Sequence, residues 1–149
     1  MTSWIYVTSS DNWKVTRERN ILGAAEGYKT LLSRVHNGDK ILVYVKAERV
    51  RGTEVTKPII VGEYEVSSEV FTDKTKIFHT PPNDPNQIFG LRMRVKAVRI
   101  FKEPIHFRLL VPKLGFITNK RNWPLHLRGR PITKLPENDF DLIMSAASP

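Results

Sequence analysis

Residues 91–101 alternate so strictly that few folds accommodate them. Leu91, Met93, Val95 and Ala97 fall on one side, Arg92, Arg94 and Lys96 on the other. Successive strand side chains point to opposite faces, so the segment reads as a strand with one face in a core and one in water. Val98, Ile100 and Phe101 break the pattern and predict a change of face at a bulge. Pro104 is expected to end the strand. The same period marks residues 40–50, where Ile41, Val43, Val45 and Ala47 alternate with Leu42, Tyr44, Lys46 and Glu48. It also marks residues 58–71, where Glu63, Glu65 and Ser67 alternate with Tyr64, Val66 and Ser68. Residues 4–7, aromatic and β-branched, read as a short buried strand.

Helical signals are fewer. Residues 28, 31, 32 and 35 are apolar at the spacing of one helical face, and His36-Asn37-Gly38-Asp39 stops that helix. Residues 12–15 predict a short helical turn after the capping cluster Thr8 to Asn12. Pro136 suits the first turn of a last helix, with Phe140, Ile143 and Met144 on its apolar face. Residues 20–27, with glycines at 23 and 27, read as irregular, and residues 51–57 as a polar loop. Residues 72–90, with prolines at 81, 82 and 85, form a long connection of the kind that is functional or mobile. Residues 107–111 and 114–117 read as short helical or extended pieces. The expected architecture is one α+β domain over residues 1–149, with a small, curved, partly closed sheet of five to six strands and flanking helices.

The chain has 149 residues and no cysteine. Disulfides, thiolate metal sites and a cysteine nucleophile are therefore excluded. No apolar run reaches the ~20 residues of a membrane span. With no signal-like N-terminus, a cytoplasmic protein without membrane partners is expected, a monomer or a weak dimer. There is no phosphate-binding P-loop, no GxGxxG and no GxSxG. His36, His79, His106 and His126 have no metal-ligand spacing. No metal, cofactor or catalytic residue is expected. Glu63 and Glu65, two apart on one strand face, could be an acid/base pair, or simply an exposed sheet face.

Net charge is +9, and its distribution is uneven. Residues 1–91 carry twelve Lys or Arg against eleven Asp or Glu, whereas residues 92–134 carry twelve against Glu103. Residues 135–149 hold three acids and no base. A one-sided basic patch is the footprint of phosphate-backbone binding; a solvated basic face without a partner is the alternative. Trp13, Tyr28, Tyr44, Phe78, Phe89 and Trp123 lie in or beside loops and strand ends. An extruded nucleobase stacks on such walls, and Ser9, Asn12 or Asn20 could meet its polar edge. Tyr6, Phe71 and Phe140 read as core, and Trp123 either stacks or anchors its basic loop.

The order of these motifs is similar to a known family. A strand ends at Thr8-Ser9, followed by Asn12-Trp13; Asn20-x-Leu22-Gly23-Ala24 precedes a helix. Gly38-Asp39-Lys40 leads into the strand bearing Tyr44, then come Gly62-x-Tyr64-x-Val66 and Arg94-Val95-Lys96. The tail has Leu114-x-Phe116, Trp123, Leu127-x-Gly129 and the Pro136 helix. This resembles the EVE domain, in particular its small stand-alone archaeal and bacterial members, over nearly the whole chain. The resemblance implies a PUA-like bent barrel related to YTH and ASCH domains. It implies a non-catalytic module that binds RNA or modified DNA by inserting a flipped, for instance methylated, base into a pocket. Carried over, that pocket is lined by Thr8, Ser9, Asn12, Trp13, Asn20, Leu22, Tyr44 and Arg94, with Phe89 or Trp13 as a replacement stacking wall. The family commonly has Trp-Gly-Val where this chain has Leu22-Gly23-Ala24, and leucine has no π-face, so either the pocket accepts a different base or such a replacement fills in. Arg92, Lys96, Lys120, Arg121, Arg128 and Arg130 would face the phosphates. The alternatives are a hydrolase of a modified nucleoside, as in some ASCH-like relatives, and an accessory module of a restriction or defence system.

Overall fold

The computed structural model describes residues 1–50, 52 and 54–147. The strands are β1 Ser3–Thr8, β2 Ile21–Ala24, β3 Lys40–Val45, β4 Arg49–Val50, β5 Glu54–Val55, β6 Ile59–Val66, β7 Phe71–Thr72, β8 Leu91–His106 and β9 Ile132–Leu135. The helices are α1 Ser10–Arg19, α2 Lys29–Leu32 and α3 Glu137–Ser145. Six strands form one path in the order β2-β8-β6-β3-β1-β9, with β7 paired to β8. The two ends of the path are not joined, so the sheet is an open, curled half-barrel. The expected α+β class and the five to six strands of a bent, partly closed sheet are what the structure shows.

β1 and β3 run parallel, Tyr6 beside Val43 and Thr8 beside Val45, while β1–β9, β3–β6, β6–β8 and β2–β8 are antiparallel. Parallel neighbours need a long crossover, which here carries α1, β2 and α2. Alternation along the central strands supplies two cores. Trp4, Tyr6, Ile41, Val43, Tyr64 and Met93 fill one face. Ile5, Leu42, Tyr44, Phe107, Leu127, Phe140 and Ile143 fill the other, under α3.

Several boundaries differ from the sequence expectations. The helical turn at 12–15 is part of the ten-residue α1, capped where the Asn12 N–H donates to Ser9 Oγ (3.2 Å) and closed by Asn20 in the left-handed region (φ 56°). The segment expected to be irregular contains β2, because antiparallel pairing to β8 supplies the hydrogen bonds that its own sequence does not advertise. The helix expected at 28–35 is a 3-10 turn, Glu26–Tyr28, followed by the four-residue α2. The strand at 40–50 stops at Val45, and a separate two-stranded ribbon of β4 and β5 follows. Positions 51 and 53 of the expected polar loop lie outside the described residues. Pro104 does not end β8, which runs sixteen residues to His106. The bulge expected near Val98 explains this. Pairing jumps from Tyr64–Ala97 to Glu63–Arg99, and again from Gly62–Ile100 to Ile60–Ile105, so Pro104 falls where no ladder bond is needed. Gly62 accepts the close approach, since a Cβ there would lie 3.0 Å from the Arg99 carbonyl oxygen.

The turn into β3 is tied down by Asp39, only 5% exposed. Its carboxylate accepts from Trp4 Nε1 (3.0 Å), His36 N–H (2.9 Å) and Thr2 N–H (3.2 Å). Truncation leaves those donors without a partner, at about 1–3 kcal/mol for a buried one. Asp39→Ala is expected to lower unfolding free energy by about 2–4 kcal/mol, read as an earlier urea midpoint with an unchanged slope; an unmoved midpoint would show the network to be dispensable.

Candidate functional site

A cleft of about 850 Å³ opens where β1 and β3 end. Parallel pairing makes both strands run out at the same edge of the sheet, so Thr8 and Ser9 lie beside Lys46 and Ala47 on its floor. One wall is β2 with the 72–90 connection, and the other is residues 123–131.

The first wall is built on Gly23. The Tyr6 hydroxyl donates to Gly23 O (2.8 Å) and accepts from Gly23 N–H (3.2 Å), fixing β2 against β1. Burial pushes the Tyr6 phenol up, opposed by its bonds to Gly23 and Thr8. The Phe78 ring rests on Gly23; a Cβ there would collide with Phe78 Cε2. Phe89 meets Phe78 edge-on, ring centres 6.0 Å apart. Phe89 has φ 52°, a left-handed backbone that costs a bulky residue of order 1–3 kcal/mol.

Arg92 holds that strained turn. Nε donates to Phe89 O (3.1 Å), Nη2 to Ile88 O (3.2 Å) and to Thr75 O, and Nη1 lies 3.5 Å from Asp73 Oδ1. The guanidinium also sits 5.4 Å from the Phe78 ring centre. Burial lowers its pKa from the usual arginine value, against the pull of Asp73. Hydrogen bonds from Thr75 hold the Asp73 carboxyl below its ordinary range. Asn12 is a second tie. Its Nδ2 donates to His79 O (3.1 Å), and its Oδ1 accepts from His79 N–H (2.7 Å).

The opposite wall carries Trp123, tilted on Phe107 at 5.5 Å, with Phe107 edge-on to Tyr44 at 5.1 Å. The Tyr28 hydroxyl donates to Gly129 O (2.6 Å) and so links the two walls. Lys46, Arg108, Arg128 and Arg130 line the cleft with no internal ion pair or hydrogen bond of their side chains among the described residues. The carboxylates in the cleft are Asp11 and Glu48; Glu48 accepts from Ser10 N–H (2.7 Å) at the start of α1. Burial pushes the Tyr44 phenol up to about 12, opposed by the charge of Arg108.

Of the residues expected at a base pocket, Thr8, Ser9, Asn12, Tyr44 and Phe89 line this cleft, and so do Arg128 and Arg130 from the expected phosphate set. Asn12 and Ser9 spend hydrogen bonds on the fold, which leaves them less for a base edge. Trp13, Asn20, Leu22 and Arg94 lie elsewhere. Trp13 packs edge-on against Tyr64 at 6.1 Å, Leu22 is 1% exposed in the core, and Arg94 stands over Phe71. Arg92, expected to face phosphate, is 1% exposed and committed to the connection. Lys96 and Arg99 face Glu65 and Glu63 across the β6–β8 ladder, away from the cleft. That places the carboxylates considered for hydrolysis outside it. Lys120 caps carbonyls, donating to Val111 O (2.9 Å) and Leu114 O, and Arg121 is exposed beyond the cleft. The basic stretch 92–134 is therefore not one patch; it is divided among several surfaces. Lys46, Arg108 and Tyr6 were not singled out by sequence. Lys46 lies in the near-neutral N-terminal part, and Tyr6 matches a core pattern as well as a pocket one. Among the described residues, no group of three His, Cys, Asp or Glu could hold a metal, and no helix is long and apolar enough to cross a membrane.

The EVE domain family model matches residues 2–146. A UPF0310 protein of Pyrococcus abyssi is 40% identical over 145 residues, 97% of this chain and 99% of that relative. Among solved structures, human THYN1 protein in complex with 5-methylcytosine-containing DNA is similar with TM-score 0.59 at 15% identity, covering 97% of this chain and 96% of that one. The Pho92 YTH domain in complex with m6A is similar with TM-score 0.63 at 15% identity, covering 97% and 81%. The fold is the PUA-like one of these proteins.

Two outcomes follow from the geometry. Arg92→Gln should speed amide hydrogen exchange across residues 75–90 while β3 and β6 stay protected; uniform exchange across the chain would show that the clamp is not local. Tyr44 has a raised pKa, so its contribution to stability is fully present below the ordinary phenol value of 10.0 and is lost as pH rises toward about 12. The phenolate absorbance removed by Tyr44→Phe should appear only well above pH 10.0; a normal midpoint would contradict the burial.

Proposed function

The chain belongs to the EVE domain family, and on that footing we propose that it is a non-catalytic, single-domain nucleic-acid-binding module. In this reading it takes one modified base, a methylated one, out of an RNA or DNA strand and into the cleft at the ends of β1 and β3. Two structural neighbours were solved with methylated nucleic-acid ligands, 5-methylcytosine-containing DNA and m6A, which favours this ligand class.

The observation that carries the reading is the coexistence, in one cleft, of the Phe78–Phe89 pair over Gly23 with four cations that have no internal partner among the described residues. A planar heterocycle leaves water for an aromatic wall at about 1–3 kcal/mol per base. Lys46, Arg108, Arg128 and Arg130 can then take the flanking phosphates, which fix the strand without reading its sequence. Phe89, backed edge-on by the buried Phe78, supplies the π-surface that Leu22 lacks. Pre-set by Arg92 and Asn12, this wall needs little ordering when a ligand arrives.

Fluorescence anisotropy with single-stranded oligonucleotides carrying one m6A, one 5-methylcytosine or no modification tests this. A methylated strand should bind more tightly than its unmodified counterpart, and Phe89→Ala should lose about 1–3 kcal/mol on the methylated strand and erase the preference. Four phosphate contacts should give a slope of log K on log salt of about −3. Equal affinity for all strands with a slope near zero would refute the proposal.

A further inference from the structure

Neighbouring residues of a strand face opposite ways, and the pairing of Tyr6 with Val43 puts Tyr44 on the other side of the sheet from Tyr6. Both tyrosines nevertheless line the same cleft, because it wraps around the end of the sheet. The cleft therefore has two lobes. In the first, the Tyr6 hydroxyl is used up on Gly23 and the surroundings are aromatic. In the second, beside Phe107 and Trp123, Tyr44 is 5% exposed, and its hydroxyl has no hydrogen-bond partner among the described residues. Tyr44 lines the cleft, so this hydroxyl is available to donate to a ligand atom there. Arg108 lines the same cleft, its charge biases the Tyr44 phenol, and it has no carboxylate partner among the described residues. The acids of the cleft, Asp11 and Glu48, belong to the α1 end instead.

We propose that this second lobe is a phosphate subsite, in which the Tyr44 hydroxyl and the Arg108 guanidinium together hold the phosphate adjoining the nucleotide whose base enters the first lobe. The assignment rests on the base-binding reading and deepens it: the ligand unit is a nucleotide, not a bare base. A phenol that stays protonated far above neutral pH donates to a phosphate oxygen throughout the physiological range. A guanidinium supplies further charge-assisted donors in fork geometry. Trp123 walls the lobe and limits competition from water.

Calorimetry with N6-methyladenosine, its 5′- and 3′-monophosphates and ribose 5-phosphate separates the parts, using wild type, Tyr44→Phe, Arg108→Gln and Arg108→Lys. At least one monophosphate should bind about tenfold tighter than the nucleoside. Tyr44→Phe and Arg108→Gln should remove most of that gain and leave nucleoside affinity unchanged, and Arg108→Lys should keep part of it. Ribose 5-phosphate should bind wild type weakly and Arg108→Gln not at all. Equal affinity of nucleoside and monophosphates in wild type, or an equal loss on both in Arg108→Gln, overturns the subsite. If nucleoside and monophosphates bind no better than ribose 5-phosphate, the base-binding reading fails separately. The ribose 5-phosphate arm then decides: loss in Tyr44→Phe and Arg108→Gln supports the subsite, and absence of binding to wild type overturns it.

Discussion

Parallel pairing of β1 with β3 is the constraint from which the site follows. Two antiparallel strands would have run out at opposite edges, and Thr8 and Lys46 would not share a floor. The parallel arrangement requires a long crossover, and that crossover brings α1 and β2 to the same edge. Alternation then distributes the aromatics. Tyr6 faces one core and Tyr44 the other, so a cleft at this edge receives side chains from both faces. A buried aspartate, Asp39, fixes the turn that starts β3 and with it the register on which all of this depends.

The cleft is shaped by a residue that looks like surface chemistry. Arg92 carries a charge into the protein, where an unpaired cation would be expensive. It is tolerated because carbonyls of Thr75, Ile88 and Phe89 and the Asp73 carboxylate surround it. Those contacts offset the left-handed backbone of Phe89 and hold the aromatic wall over Gly23. Strain of this kind persists only where the surroundings over-determine it, and it clusters at binding sites. The cleft cations that have no internal partner among the described residues are the ones the proposed function assigns to an anionic ligand.

Much of the fold was legible. Period-two patterning located β3, β6 and β8, the break at Val98 located the bulge, and Pro136 opened α3. The local pattern failed where distant segments intervene. Alternation put Arg92 in water, but the 72–90 connection folds back over that face and covers it. Pro104 looked like a terminator, yet two register shifts excuse its missing N–H. β2 is four residues with a glycine, too short to declare itself before its partner is known. At the site, the structure places Thr8, Ser9, Asn12, Tyr44 and Phe89 in the cleft, whereas Trp13 and Leu22 are packing residues. Lys46 and Arg108 carried no mark, because their role comes only from the edge at which the strands end. The charge excess pointed to a segment, and the fold then divided that segment among unrelated surfaces.

The central claim is that a base stacks in the cleft on the wall made by Phe89 and the Phe78 ring that rests on Gly23. The most direct measurement is a nuclear magnetic resonance titration of the labelled protein with a short methylated single strand. Saturable shifts concentrated on the Gly23 amide and the Phe78 and Phe89 rings, with ring contacts to the methylated base, are the predicted result. Shifts confined to Lys96, Arg99 and Arg121, with the Gly23 amide unmoved, would contradict it.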